Sequence, residues 1–516
     1  MSQSPPQTDG TVATRTPGPQ RSLILAGGGM RVAYQAGVLR ALSEVGLSFT
    51  HADATSGGTI NLAMLLSGLS PVEMCDRWRT LQVNEFVSFM PGQDYLKAWN
   101  LQAFGDARGV RQGVFPHLGI DIEKIRAAQG IEGTFNVCNY TRKTSDVISH
   151  RQIDLDLLVA GISLPIYMPP VAKDGCLYLD SVWIKDANLM EAVRRGAEEL
   201  WVVWCIGNIN QYKNGIFNQY VHMIELSANG HLFEEFRLIN EINARIRNGE
   251  TVYGHTRPIR LHLIKPKYPL PLDPDFYRGR IDAATLIDIG YSDAKQYLQG
   301  MTPDGLAFEP DATKMLDEGV GVSFRLSMSG GVALGLADPI EGAATGAEFS
   351  LHLAVDVHDL PSFMQDPEHA AVVHGHLSFA PYGDNVPAKG GVFKLIPPGD
   401  RSGTKLIICE LGFYHDGTDF YLAGRGEIRG EASSGLAKDA CVFEVQLRQG
   451  TGQDGPVVGA GILRMGLSDL MQLVSSLHAT NAGSASEEAR TLVDFGRFFL
   501  GAIWESYSQR AAVEQK

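Results

Sequence analysis

Two patterns of hydrophobic positions divide the chain. Up to about residue 300, short apolar runs alternate with stretches whose apolar residues recur at the helical period. Residues 22–26 read as a strand running into Gly27, Gly28 and Gly29, and 34–45 as the helix after it. Residues 49–54 predict a second strand, Ser56, Gly57 and Gly58 a tight corner, and 60–66 a second helix. Further strands are expected at 135–138, 147–149, 177–179, 200–206 and 259–264. Helices are expected at 155–162, 189–196, within 218–247 and at 283–297. This alternation predicts an α/β fold with a mostly parallel sheet.

Beyond Met301 the period changes to two. Pro303, Gly305 and Pro310 mark a linker, 348–357 (EFSLHLAVDV) is the clearest strand, and 406–429 folds about the hairpin signal Asp416-Gly417. Residues 440–447 add a strand, and 468–477 and 487–507 are helical. The expected organisation is a disordered lead-in over 1–20, an α/β domain over 21–300, a linker over 301–318 and a β-rich domain with terminal helices over 319–510.

Composition narrows the function classes. Of the 516 residues, 44% are hydrophobic and 20% charged, as in folded globular proteins. A net charge of −14 excludes the electrostatic footprint of a nucleic-acid binder and a polybasic lipid anchor, so any membrane contact is expected to be apolar or transient. The polar, proline-rich start has no apolar signal core, and no run is long enough to span a bilayer. Six cysteines without CxxC spacing read as free thiols of a cytoplasmic protein.

The candidate chemistry lies at the first two strand-to-helix corners. Gly27, Gly28 and Gly29 allow backbone amides to converge at a helix start, which favours an anion, either a phosphate or an oxyanion. A dinucleotide fingerprint does not fit, because position 32 is valine and no acidic residue ends the second strand. Ser56 stands there instead, in ATSGG, the setting of a nucleophile elbow or, read alone, of a helix-capping serine. A serine nucleophile needs a histidine or carboxylate base. Asp180, after the 177–179 strand, is expected to open onto the same crevice as the carboxyl end of a parallel strand.

The succession LILAGGGMR, AYQAGVL, ATSGG, LVAGISLPIYMPPV, LYLDS and KDANLMEAVRRGAEELWVV resembles the patatin-like phospholipases over residues 22–297. The resemblance implies a three-layer α/β/α sandwich and a serine lipid-acyl hydrolase using a Ser/Asp dyad. It implies Ser56 as nucleophile, Asp180 as base, Gly27, Gly28 and Gly29 as oxyanion donors and Arg31 as loop stabiliser. The substrate would be a lipid or other acyl ester, processed through an acyl-enzyme without metal or cofactor. Val32, Ala54, Ser181 and Val182 depart from the family's small residues, changes that bear on backbone freedom.

Competing readings are a Ser/His/Asp hydrolase using His222, His231, His255 or His262, and a weak or inactive lipid-binding scaffold that retains the hydrolase fold. In the second region, His374 and His376 share a strand face as an HxH pair. The segments SMSGGVALG, GVFKLI, ELGFYHDG, YLAGR and VVGAGIL resemble domains associated with glucose-methanol-choline oxidoreductases. No flavin fingerprint accompanies them, so the expectation is an apolar-ligand or substrate-presenting module.

Overall fold

The computed structural model describes residues 19–82, 88–89, 103–396, 404–429 and 441–500. The lead-in expected over residues 1–20 lies outside the described residues except for Pro19 and Gln20, as does the end of the helix expected over 487–507.

The first domain is built from β1 (Arg21–Leu25), α1 (Ala33–Glu44), β2 (His51–Thr55), α2 (Gly58–Leu66) and α3 (Pro71–Thr80). After a connecting stretch come β3 (Glu132–Asn139), β4 (Thr144–Ser149), α4 (Leu155–Gly161), β5 (Val171–Lys173) and β6 (Cys176–Asp180). The domain continues through α5 (Leu189–Arg194), β7 (Glu199–Val203), α6 (Ile216–Arg247), β8 (Arg260–Ile264) and α7 (Ala283–Gly300). Its eight-stranded sheet has the order β8-β7-β1-β2-β3-β6-β5, with β4 beside β3.

Helices cover both faces. Leu23, Leu25, Ala52 and Ala54 pack under α1, α2, α3 and α7, whereas Ile24, Leu200, Val202 and Leu263 face α5 and α6. Strand alternation sends successive side chains to opposite layers, so each central strand is buried on both sides. Helices α1 and α7 touch backbone to backbone, because a Cβ at Gly290 would collide with the carbonyl of Tyr34.

Strands β8, β7, β1, β2 and β3 are mutually parallel. Strand β6 runs antiparallel to β3, with Val137 opposite Asp180. The expectation that Asp180 ends a parallel strand is therefore corrected. Asp180 reaches the crevice because β6 runs inward from the carboxyl edge and stops opposite Val137, one register step short of the Thr55–Asn136 pair.

The second domain is a closed barrel of eight antiparallel strands, each hydrogen-bonded to its sequence neighbours. These are β9 (Gly321–Leu334), β10 (Ala347–Val357), β11 (Ala370–Phe379), β12 (Gly383–Ile396), β13 (Thr404–His415), β14 (Thr418–Arg429), β15 (Cys441–Gln449) and β16 (Val457–Met465). Pairing of β9 with both β10 and β16 closes it. An eight-stranded barrel has an interior just wide enough for side chains, and Phe324, Leu326, Leu353, Phe393, Leu411 and Leu463 are buried in its core. After α8 (Leu467–Ser476) and the short β17 (His478–Thr480), helix α9 (Ala485–Leu500) lays Phe495 and Phe499 against Phe324.

The domains meet along α7. Asp288 accepts from Arg79 at 2.8 Å and contacts His376 Nδ1 at 2.7 Å, which pins the barrel to the sandwich. Among the described residues no helix is long and apolar enough to cross a membrane.

Candidate active site

Ser56 follows β2 with φ at +52°, the left-handed conformation that a non-glycine residue adopts at a cost of about 1–3 kcal/mol. The two glycines after it sustain this strain. A Cβ on Gly57 would lie 2.6 Å from the Gly29 carbonyl, and one on Gly58 would collide with the Leu25 carbonyl. Their missing side chains let α2 begin against the first corner, turning the Ser56 hydroxyl out of the sheet.

That hydroxyl donates to Asp180 Oδ2 at 2.6 Å. The other carboxyl oxygen accepts the Val182 amide at 2.9 Å, fixing the plane of the group. Ser56 is 7% and Asp180 1% exposed, so the pair is largely removed from water. Burial pushes the Asp180 carboxyl up to about 7, with the Ser56 and Val182 hydrogen bonds pulling the other way. Raised basicity is what a carboxylate needs to take a serine proton.

Besides Arg31, the glycine loop is held by residues that the sequence did not single out. Gly27 donates its amide to both oxygens of Asp186, each at 3.1 Å, and Met30 donates to Asp273 Oδ1 at 3.1 Å. Arg31 Nε donates to the Gly28 carbonyl at 2.9 Å, Gln35 Nε2 to Ala26 at 2.6 Å and Asn61 Nδ2 to Val32 at 2.8 Å. The Gly28 and Gly29 amides have no partner among the described residues. The loop thus offers two amides to an anion, with Gly27 already engaged. Burial and the neighbouring Asp180 raise Asp186 to about 8, and the Gly27 amide and Arg31 oppose them.

The four departures from the family pattern fall where no left-handed backbone is needed. Val32 has φ at −67°, and Ala54, Ser181 and Val182 are absent from the positive-φ positions, which here are Gly28, Gly29 and Ser56. The residues that must be permissive remain so.

Beneath Ser56, polar residues of β2 and β3 form a buried chain. Asn136 Nδ2 donates to Asp53 Oδ1 at 2.6 Å and Thr55 Oγ1 at 3.1 Å, and the Asn136 side-chain oxygen accepts from Asn188 at 2.8 Å. Thr134 donates to Asp53 and contacts His51 Nε2 at 2.9 Å. Beside Asp180, Trp183 and Tyr220 meet edge to face at 5.6 Å, and Tyr167 meets Tyr220 at 5.8 Å.

None of the candidate histidines contacts Ser56. His222 pairs with Glu225, His231 with Glu235, His255 with the Val193 carbonyl, and His262 stacks on Trp201. Among the described residues, no three His, Cys, Asp or Glu side chains are placed to hold a metal ion. Five cysteines, Cys75, Cys138, Cys176, Cys205 and Cys409, are free and buried.

Residues 23–193 match the family model described as patatin-like phospholipase. A crystal structure of VipD from Legionella pneumophila aligns with a TM-score of 0.31 and 12% identity, covering 55% of this chain and 67% of that one. No curated protein matches the chain. The resemblance of the barrel to glucose-methanol-choline oxidoreductase domains gains no support from these matches.

Proposed function

We propose, taking as premise that residues 23–193 form a patatin-like phospholipase domain, that the chain hydrolyses carboxylic esters of lipids through Ser56 and Asp180. The observation that carries this reading is the 2.6 Å hydrogen bond from the strained Ser56 hydroxyl to a buried carboxylate of raised basicity.

Asp180 takes the hydroxyl proton as Ser56 Oγ bonds to the ester carbon. The resulting oxyanion is met by the Gly28 and Gly29 amides, preorganised donors whose loss costs about 3–4 kcal/mol of barrier in hydrolases of this kind. The carbon–alkoxide bond then breaks, the alkoxide leaves with the proton from Asp180, and an acyl-Ser56 ester remains. Water, deprotonated by Asp180, attacks that ester and returns the serine with release of the carboxylic acid. Asp186 and Asp273 act as positioning residues, gripping the loop at Gly27 and Met30 so that the two amides between them are left to meet the carbonyl oxygen. The aromatic cluster of Trp183, Tyr220 and Tyr167, whose first member lies three residues past Asp180 along the chain, is the apolar surface proposed to take the acyl chain of a lipid.

The test is hydrolysis of p-nitrophenyl esters of increasing chain length and of phospholipid vesicles, with fluorophosphonate labelling of the folded protein. The expected result is turnover favouring long chains and one label on Ser56. Equal turnover by Ser56→Ala would remove Ser56 from the reaction, and absence of both label and turnover would favour a lipid-binding scaffold.

A further inference from the structure

Helix α6 changes character along its length. From Ala228 onward one face is buried, with Leu232, Phe236 and Ile239 in the core beside Leu200 and Leu261. None of residues 216–227 is fully buried, although the segment reads IFNQYVHMIELS. Ile216, Met223 and Leu226 are 93%, 53% and 74% exposed, and their spacings of seven and three place them on one helix face. Apolar side chains grouped in water in this way mark an interaction surface.

The surface continues into a strained turn. Tyr220 of α6 donates its hydroxyl to the Pro165 carbonyl at 2.7 Å, and its ring meets Tyr167 at 5.8 Å. Between Pro165 and Tyr167, Ile166 has φ at +78°, a conformation that a β-branched residue adopts only under constraint, yet it remains 48% exposed. Burial does not offset that strain.

Both flanks of this surface are tied to the chain around Asp180. The Asp180 amide donates at 3.1 Å to the carbonyl of Ser163, three residues before Ile166. On the other flank, the Trp183 carbonyl accepts from Ser227 Oγ of α6 at 2.7 Å, and the Trp183 ring meets Tyr220. Burial, then Tyr167 and Asp180, raise the Tyr220 hydroxyl, so that ring lies within electrostatic reach of the proposed base.

Charge selects what can cover the surface. Residues 216–230 carry one charged side chain, Glu225, which contacts His222 at 3.2 Å, and residues 161–172 carry none. The chain as a whole, at −14, is repelled by an anionic membrane. Beyond Glu225 the surface offers a protein partner no charge with which to set register. Aliphatic side chains edged by tyrosine and tryptophan complement a zwitterionic lipid surface, where such rings settle at the headgroup level.

We propose that the Ile216–Leu226 face of α6, together with the Pro165–Tyr167 turn, docks the protein on a zwitterionic lipid surface. Docking brings acyl chains to the aromatic cluster and holds the buried dyad against the phase that contains its substrate. The inference rests on the proposed ester hydrolysis for its purpose, and its binding test is independent of catalysis.

Co-sedimentation of the full chain with phosphatidylcholine vesicles, using Ser56→Ala so that the lipid is not consumed, tests the face. Saturable binding is expected, weaker by about tenfold or more when Ile216→Glu and Leu226→Glu are combined, and unchanged in Leu334→Glu, at an exposed leucine of β9. Ile216 and Leu226 lie in water, so the folded protein tolerates the charges. Vesicles of equal parts phosphatidylcholine and phosphatidylserine should bind no more tightly. No binding, equal binding by the double variant, equal loss in Leu334→Glu, or tighter binding to the phosphatidylserine vesicles would overturn the proposal. Self-association of the lipid-free protein that the double variant abolishes would also overturn it, by making the face an interface between copies. With Ser56 intact, the double variant should lose about tenfold in hydrolysis of phosphatidylcholine vesicles and keep its turnover of dissolved p-nitrophenyl butyrate. Equal loss on both substrates would place the two residues in the site rather than on a docking face. A Ser56 that fails to label would sink the hydrolase reading and leave the vesicle binding readable.

Discussion

Strand β2 of the sandwich and strand β9 of the barrel bury side chains of opposite character. Beneath Ser56, β2 places His51, Asp53 and Thr55 on one face, all within a few per cent of full burial. Strand β9 places Val322, Phe324, Leu326 and Met328 in the barrel core. Burying a polar group costs free energy unless it is hydrogen-bonded, so a fold that concentrates such groups at one sheet edge keeps them with a linked network of partners. One region is organised to hold chemistry and the other to be stable, and substitutions in the two should fail in different observables.

The largest effect is expected at Ser56. Ser56→Ala removes the proposed nucleophile and should lower ester turnover by at least about 10³-fold while leaving thermal unfolding of the protein close to wild type. In the barrel the order reverses. Phe324→Ala deletes a ring packed against Phe393, Phe495 and Phe499, and should cost about 3–5 kcal/mol of stability by denaturant titration. Ester turnover per folded molecule should then stay within about twofold of wild type. Loss of turnover in the folded Phe324→Ala protein would show that the barrel takes part in the chemistry.

Asp186→Ala probes the loop clamp. Freeing the Gly27 amide should lower kcat by about 10–100-fold with KM little changed, the signature of an interaction that matters chiefly in the transition state. Asp186→Asn retains an acceptor oxygen for the amide and should recover part of the loss. A variant in which KM rises and kcat holds would instead place Asp186 in substrate binding.

How far this contrast was legible in the sequence depended on whether a feature was local. The glycine run, the SGG corner, LYLDS and the hairpin at Asp416-Gly417 are short segments whose turn chemistry can be read directly, and their residues sit at the corners they predicted. The clamp at Asp186 and Asp273 was not legible, because those side chains meet the loop across 159 and 243 residues of chain; Asp186 lies in the stretch KDANLMEAV, where nothing local ties its carboxyl to the loop, and Asp273 in a segment without a motif. The direction of β6 was missed for the same reason, since strand polarity in a sheet is set by pairing and leaves no mark on a five-residue strand. Closure of the barrel was likewise invisible, as it depends on β9 meeting β16 from the far end of the domain.

The pH dependence of the two regions should also differ. Asp180 is raised from 3.8 to about 7 by burial, so its base form appears as pH rises and kcat/KM should climb with an apparent midpoint near 7. Because Asp186, at about 8, adjoins it, the midpoint belongs to the pair. Stability moves the other way. A carboxyl whose folded value lies above its unfolded value contributes stability that is complete below about pH 4 and lost as pH rises through 7 to 8. Asp53, held at about 8, and Asp293, at about 7, add to the same trend in the sandwich. Sandwich and barrel unfolding, followed separately by hydrogen exchange between about pH 5 and 9, should diverge, with the sandwich weakening first. Equal weakening of both would break the contrast.

The smallest effect is expected where the sequence departs from the patatin-like pattern. Ser181 stands in place of a small residue after Asp180, yet its backbone is right-handed and its hydroxyl meets Ser145 Oγ at 2.8 Å. Ser181→Gly therefore restores the small residue of the patatin-like pattern without relieving strain. It should change kcat by less than about twofold, because neither the Asp180 carboxyl nor the Val182 amide that orients it depends on the Ser181 side chain. It should cost about 1 kcal/mol of stability, from one lost hydrogen bond and a more flexible unfolded chain. A severalfold gain in kcat would mean that the turn after Asp180 limits the reaction, and that polar burial in this domain supports the dyad less completely than the contrast with the barrel requires.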